Sequence, residues 1–411
     1  LRLVYRTLSL LLAPFWLLFL AIKQRGNFRF LERLGFYESR EDAPIWIQAV
    51  SVGEVRIALR LAAVLKSRGL PVALTSTTAT GLDLAVKEGH PDLSPQAFPV
   101  DLPGCAKRAV KRLSPRALVL VETEIWPTLF REARTSSVPV FIVNARLSDR
   151  SFRRTQKFRR LYEKALRDVF VAAQSEEHAA RFHILGASSE RIVVLGNLKY
   201  DLRPPETFEE VRASLARGIP EAPLWVAGSV REGEEALVLE AHVAVRASVP
   251  GARLILAPRH LNRTPVCMEE CKKLGLRGVE RTAGPGPDWD VLILDTVGEL
   301  WSAYALGTAA FVGGSLVPLG GQNVLEPAFL GKPVLFGPHT ENFREDAERL
   351  LAGSGAARVE DPRALAERVA AFLSEPAQAE ACGKKALIAV EAHKGAVDRT
   401  AKWIADTIPG V

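Results

Sequence analysis

A chain of 411 residues, 48% apolar and 25% charged, has ordinary globular composition and more length than one hydrophobic core usually serves, so two domains are expected. Cys105, Cys267, Cys271 and Cys382 show no CxxC spacing and have no His pair to complete a zinc site; they read as reduced, buried thiols of a cytosolic protein. The formal charge of +7 is uneven, and residues 1–40 alone hold an excess of five cations.

Inside that basic frame, residues 8–22 are apolar apart from Ser9 and Pro14. At about 1.5 Å per residue the run falls somewhat short of a ~30 Å hydrocarbon core, a gap that Arg6 and Lys23 narrow by snorkelling. No small-x-small cleavage site follows it, which argues against a removed signal peptide. Residues 1–22 are therefore expected to be an N-terminal membrane anchor, with a buried core helix as the alternative. The positive residues after it put the rest of the chain on the cytoplasmic side. Met268 is the only methionine, so Leu1 reads as a non-standard start or a truncation.

Strands are predicted at 44–50, 72–76, 97–100, 117–121, 138–143, 169–173 and 192–195. Helices fall between them, including a long basic one ending near residue 166. The rhythm breaks over 201–222, where Pro204-Pro205, a polar helix and Gly218-Ile219-Pro220 form a junction. Strands resume at 224–227, 253–257, 291–294, 309–312, 333–336 and 357–360, and helices close the chain. The expected domains are 23–203 and 223–395, with a linker at 204–222 and a terminal helix at 396–411. Such alternation predicts an α/β protein: two similar halves of parallel sheet with helices on both faces, a cleft between them, and ligands beyond the carboxyl ends of the strands.

The chemically distinctive residues fall at those strand ends. Ser51-Val52-Gly53-Glu54 puts a carboxylate at a tight turn, suited to take a proton if desolvation raises its pKa, or else a first-turn Glu serving the helix dipole. Glu122 and Glu124 close an apolar strand, and strand alternation sends them to opposite faces. Asn144-Ala145-Arg146-Leu147-Ser148 leads into Arg150, Arg153, Arg154, Lys157, Arg159 and Arg160, a solvated helix face by default that also suits anionic lipid head groups. Gly196-Asn197-Leu198-Lys199 sets a lysine at the last strand end of the first half. Gly228-Ser229 with Gly233-Glu234-Glu235 forms the matching turn of the second. Pro258-Arg259-His260 offers a guanidinium for phosphate or base, and Val297-Gly298-Glu299 a loop for a base edge. Asp288-Trp289-Asp290 has metal-motif spacing but precedes its strand, so no metal is expected.

The densest stretch is 310–327, an apolar run ending in Gly313-Gly314-Ser315, then Gly320-Gly321-Gln322-Asn323 and the helix start Val324-Leu325-Glu326. Glycine pairs allow positive φ and close approach of a ligand to backbone N–H groups, and the helix start favours an anion. Glu326 beside such a site is suited to neutral donors such as ribose hydroxyls.

Together these motifs resemble the 3-deoxy-D-manno-octulosonic acid (Kdo) transferases of lipopolysaccharide assembly, over essentially the whole chain. The residues carrying the resemblance are Ser51-Val52-Gly53-Glu54, Glu122-Thr123-Glu124-Ile125-Trp126-Pro127, Asn144 to Ser148, Gly196 to Lys199, Pro258-Arg259-His260, Val297-Gly298-Glu299-Leu300 and 313–327. The resemblance implies a GT-B glycosyltransferase of two Rossmann-like domains that moves Kdo from CMP-Kdo to the glucosamine disaccharide of the lipid A precursor lipid IVA. The anomeric centre would be inverted, without metal or other cofactor, at the cytoplasmic face of the bacterial inner membrane. It assigns the front half to the acceptor and the back half to the donor, with Glu54 as general base and Glu122 and Lys199 as transition-state stabilisers. Pro258, Arg259, Val297, Gly298, Glu299, Asn323, Val324, Leu325 and Glu326 become CMP contacts, and Ser229, Gly314, Ser315 and Gln322 lie toward the donor sugar or phosphate. Arg150, Arg153, Arg154 and Lys157 face the acceptor and anionic lipids; no nucleic acid or obligate protein partner is expected.

The chain departs from the family pattern at Gln322 and Gln48, each where His is usual. Val230-Arg231 replaces Thr-His, and Leu261-Asn262-Arg263 replaces Pro-Glu-Arg. The alternatives are a GT-B transferase using a UDP-sugar on another lipid-linked acceptor, and a membrane-tethered nucleotide-binding scaffold.

Overall fold

The structure, a computed structural model, describes residues 29–408 apart from Pro91, Leu202, Pro285 and Pro287. The expected anchor at 1–22 lies outside the described residues, and among the described residues no helix is long and apolar enough to cross a membrane. Two compact units emerge, Leu1–Asp201 with Lys394–Val411, and Leu202–His393.

In the first unit, β1 (Ile45–Ala49), β2 (Val72–Ser76), β3 (Gln96–Ala97), β4 (Ala117–Val121), β5 (Val140–Ala145), β6 (Phe170–Ala173) and β7 (Ile192–Val194) form a parallel sheet in the order β3-β2-β1-β4-β5-β6-β7. Every residue of β1, β2, β4 and β5 is buried, as a parallel sheet covered on both faces requires of its apolar runs. One face packs Ile47, Val119 and Val143 against Val55 and Leu61 of the helix Val52–Ser67; the other packs Trp46, Leu118 and Ile142 against Leu129 and Phe130. The terminal helix Ala396–Thr407 joins this unit: Ala401 and Ile404 enter its core, and Trp403 meets Phe141 edge-on at 5.3 Å. Its start is capped by the Asp201 carboxylate, which accepts from the amides of Gly395 and Val397.

The second unit holds β8 (Leu224–Val230), β9 (Arg253–Pro258), β10 (Gly278–Glu280), β11 (Val291–Ile293), β12 (Ala309–Val312), β13 (Val334–Phe336) and β14 (Ala356–Arg358), parallel and ordered β10-β11-β9-β8-β12-β13-β14. The polar helix expected inside the 204–222 junction is Phe208–Arg217, and its Leu215 packs with Trp289 and Tyr304 in this unit's core. Strand β10 is an unexpected element: three partly exposed residues at the sheet edge give too short a pattern to read.

The long basic helix is in fact two, Asp149–Gln156 and Arg159–Leu166, because Phe158 leaves the helical region at φ −116°, ψ 24°. Each sheet has a switch point near its centre where the chain crosses from one half of the sheet to the other, between β1 and β4 in the first and between β8 and β12 in the second. Parallel sheets bind ligands outside the carboxyl ends of the strands at such points.

Candidate active site

At the first switch point the turn after β1 is a capping box. Ser51 caps the helix by accepting the Glu54 N–H at 3.3 Å, and Glu54 reaches back to take the Ser51 hydroxyl at 2.8 Å and the Val50 N–H at 2.9 Å. Glu54 is thus the first-turn glutamate of the alternative expectation, in a geometry that is compatible with the other. It serves the helix start, and the two bonds aim its carboxylate while leaving lone pairs free, since an ionised carboxylate has about four acceptor positions. Burial raises its pKa; the Val50 amide and Ser51 hydroxyl pull it back, and Glu122 pushes it up further.

The neighbouring strand end supplies Glu122 and Glu124, and here the expectation of opposite faces fails. Strand β4 stops at Val121, and Glu122 takes φ +63°, a left-handed conformation that breaks the alternation. Burial lifts the Glu124 carboxyl to about 7; the Trp126 indole N–H, donating at 2.7 Å, lowers it, and the charges of Glu54 and Glu122 raise it. The helix that follows starts at Pro127 and is capped from a distance by buried Asp101, which accepts the Thr128 and Leu129 amides. Lys199 sets its Nζ 3.1 Å from Glu122 Oε1. Its short turn is pinned by Asn197, which accepts the Lys199 N–H, and by buried Asn144, which accepts the Leu198 N–H, each at 2.9 Å. Asn144, like Glu122, is left-handed, at φ +53°. Strained backbone at two adjacent strand ends costs of order 1–3 kcal/mol per residue and clusters at functional sites. Three carboxylates and one lysine thus meet at one strand-end cluster, an arrangement suited to accept a proton and to stabilise developing charge.

At the second switch point the turn after β8 meets the glycine loop after β12. Gly313 lies so close to β8 that a Cβ there would sit 2.6 Å from the Ser229 carbonyl oxygen. Ser229 is left-handed at φ +56°. Gly314 and Ser315, expected at the donor phosphate, donate their amides to Glu234, and the buried Ser315 hydroxyl donates to Val312 O while accepting Gly337 N–H. The Ser315 side chain therefore secures the loop from within. Burial raises the Glu234 pKa, and the backbone amides bonded to it pull it down.

Further along, Asn323 bonds Glu326 Oε1 at 3.1 Å and caps the Leu325 amide at 3.1 Å. Val324 and Leu325 are buried. Tyr304 is buried against Gly228, where an added Cβ would lie 2.0 Å from its hydroxyl. Burial, then the charge of Glu326, raises its pKa. Pro258 ends β9 and Arg259 is exposed beyond it. Val297 and Gly298 are exposed, and Glu299 pairs with Arg281 at 3.3 Å.

Gln48, where His is usual in the pattern, is buried between Thr75 Oγ1 at 2.7 Å and Thr77 Oγ1 at 2.9 Å, so it braces β1. Asp290 of the Asp-x-Asp triplet is buried in an ion cluster 3.0 Å from Arg246, and Trp289 donates to Gly218 O. Among the described residues no group of three or more His, Cys, Asp or Glu is arranged to hold a metal ion. Sequence reasoning missed the buried bracing groups Asp101 and Tyr304 altogether, and it named Asn144 and Glu234 only within strand-end motifs without seeing that their side chains hold backbone amides.

Residues 28–202 match the family model described as 3-deoxy-D-manno-octulosonic-acid transferase (kdotransferase). A 3-deoxy-D-manno-octulosonic acid transferase of Bordetella pertussis is 38% identical over 376 residues, covering 89% of this chain and 87% of that protein. The corresponding enzyme of Haemophilus influenzae is 32% identical over 412 residues, covering 97% and 96%. In fold, the chain is similar to a glycosyltransferase from Rickettsia africae, with a TM-score of 0.59 at 15% identity over 90% of this chain and all of that one. With such identity across nearly its whole length, the chain belongs to the Kdo transferase family of GT-B glycosyltransferases.

Proposed function

We propose that the protein transfers Kdo from CMP-Kdo to a glucosamine hydroxyl of lipid IVA, with inversion at the anomeric centre, on the cytoplasmic face of the inner membrane. The observation that carries this reading is the cluster of Glu54, Glu122, Glu124 and Lys199 at the first switch point. Glu54 takes the proton of the acceptor hydroxyl, whose oxygen then forms a bond to the anomeric carbon. The bond from that carbon to the CMP phosphate breaks, and CMP leaves with the electron pair. Lys199, oriented by Glu122, stabilises the charge that develops. The leaving monophosphate carries less charge than a diphosphate, so side-chain cations such as Arg259 are sufficient partners and no metal is invoked.

In the second unit Arg259, the Val297–Glu299 segment and Asn323 to Glu326 hold CMP, with Glu326 on the ribose hydroxyls. The exposed Arg150, Arg153, Arg154 and Lys157 face anionic lipid, a role supported by Phe158, 60% exposed in their midst.

Incubation with CMP-Kdo and lipid IVA, followed by mass spectrometry of the lipid, tests the reading. A product heavier by one or more Kdo units is expected. An unchanged lipid, together with UMP binding at least as tight as CMP binding in titration calorimetry, would favour a UDP-sugar donor instead.

A further inference from the structure

Gly314, Ser315 and Leu316 turn three successive N–H groups to one side, the arrangement that makes an anion-binding nest. All three end on the carboxylate of Glu234, at 2.6, 3.0 and 2.8 Å, and the Arg231 N–H adds a fourth bond at 3.2 Å. Glu234 is 0% exposed and comes from the turn after β8, 80 residues before Gly314. The fit is close, since a Cβ on Gly313 would lie 2.8 Å from Glu234 Oε2. The anion filling this nest is thus a side chain of the protein.

The outer side of the loop is different. A Cβ on Gly314 would meet Arg231 Cγ at 3.2 Å and Gln322 Nε2 at 3.4 Å, so these two side chains flank the glycine. Both are partly exposed.

We propose that Glu234 is the positioning residue of the donor loop: its carboxylate fixes the backbone of 313–316, and the donor's phosphate is met by the Arg231 and Gln322 side chains instead of by the loop amides. The inference rests on the reading that the second unit carries CMP-Kdo. A carboxylate is the only side chain that accepts four backbone N–H bonds without presenting a donor of its own. Glu234→Gln keeps the shape but turns an NH2 group toward amide donors.

Two measurements test the proposal. In hydrogen exchange on the wild-type protein, the amides of Gly314, Ser315 and Leu316 should be protected before nucleotide is added and gain little on saturation with CMP. Rapid exchange in the free protein with strong protection on adding CMP would show that the phosphate takes these amides, and would overturn the proposal. In Glu234→Gln, the CMP dissociation constant and the donor KM should rise about 10- to 100-fold. The acceptor KM and the acidic limb of the kcat profile, which belong to the first unit, should not move, whereas a general loss of fold would move all of them. A folded variant binding CMP as tightly as wild type would also overturn it, and if the variant does not fold the exchange measurement decides. Wild-type protein that fails to bind CMP would remove the donor reading itself; CMP binding that is intact and indifferent to Glu234→Gln would remove only the positioning role.

Discussion

Gly53-Glu54 and Gly233-Glu234 occupy equivalent places in the two units, each following the strand at the switch point and opening the next helix. Burial raises the pKa of both carboxylates. Their partners differ. Glu54 is partly exposed and holds two local donors from its own capping box, whereas Glu234 is enclosed and filled by four backbone amides. A carboxylate with open lone pairs and a raised pKa keeps its chemistry available; one saturated by amides is a strut. The same dipeptide after equivalent strands thus holds a carboxylate with open lone pairs in one unit and an amide-saturated one in the other.

The sharpest way to extend the comparison is through Lys199, the cation held 3.1 Å from Glu122. Lys199→Met is expected to lower kcat about 100- to 1,000-fold with CMP affinity retained. A change confined to KM would assign the lysine to substrate binding instead.

Two buried groups, one in each unit, should contribute to stability with opposite pH signs. In the second, His242 is buried between the Trp225 indole and the Asp290 carbonyl, and burial lowers its pKa from 6.5 to about 4. The unfolded chain takes a proton that the native site refuses, so stability falls as pH drops from about 6.5 toward 4, by up to about 3 kcal/mol. In the first unit Glu124 stands at about 7 against an ordinary 4.5, so the native state holds a proton that the unfolded chain has released. Its contribution is full below 4.5 and is lost as pH rises through 7, at a cost of about 1–3 kcal/mol. Glu124→Gln should therefore gain stability over wild type at pH 8 and not at pH 5, as read by denaturant unfolding at both. An equal effect at the two pH values would place Glu124 outside the coupled cluster.

The smallest effect is expected at the capping box. Ser51→Ala removes a cap at a cost of about 1 kcal/mol. It also removes a hydroxyl that lowers the Glu54 pKa, so the acidic limb of the rate profile should shift upward. A downward shift would break the assignment of that limb to Glu54.

Much of this architecture was legible in the residues. The seven predicted strands of the first half and six of the second match the observed strands to within a few residues, because buried parallel strands are apolar runs set off by glycine, proline and polar turns. That Glu54, Glu122 and Lys199 lie together was legible because each follows a strand of one parallel sheet. What escaped depends on three-dimensional closure. The left-handed turn at Glu122 undid a period-two expectation, and Phe158 broke a helix that charge pattern alone ran on unbroken. The glycine loop looked like an open phosphate cradle because no local pattern announces a carboxylate arriving from 80 residues earlier.

The most direct measurement of the central claim is single-turnover Kdo transfer by Glu54→Ala, with CMP affinity determined on the same preparation. Transfer is expected to be abolished while CMP binds as in wild type. Turnover equal to wild type would contradict that claim by showing that the acceptor proton leaves by another route.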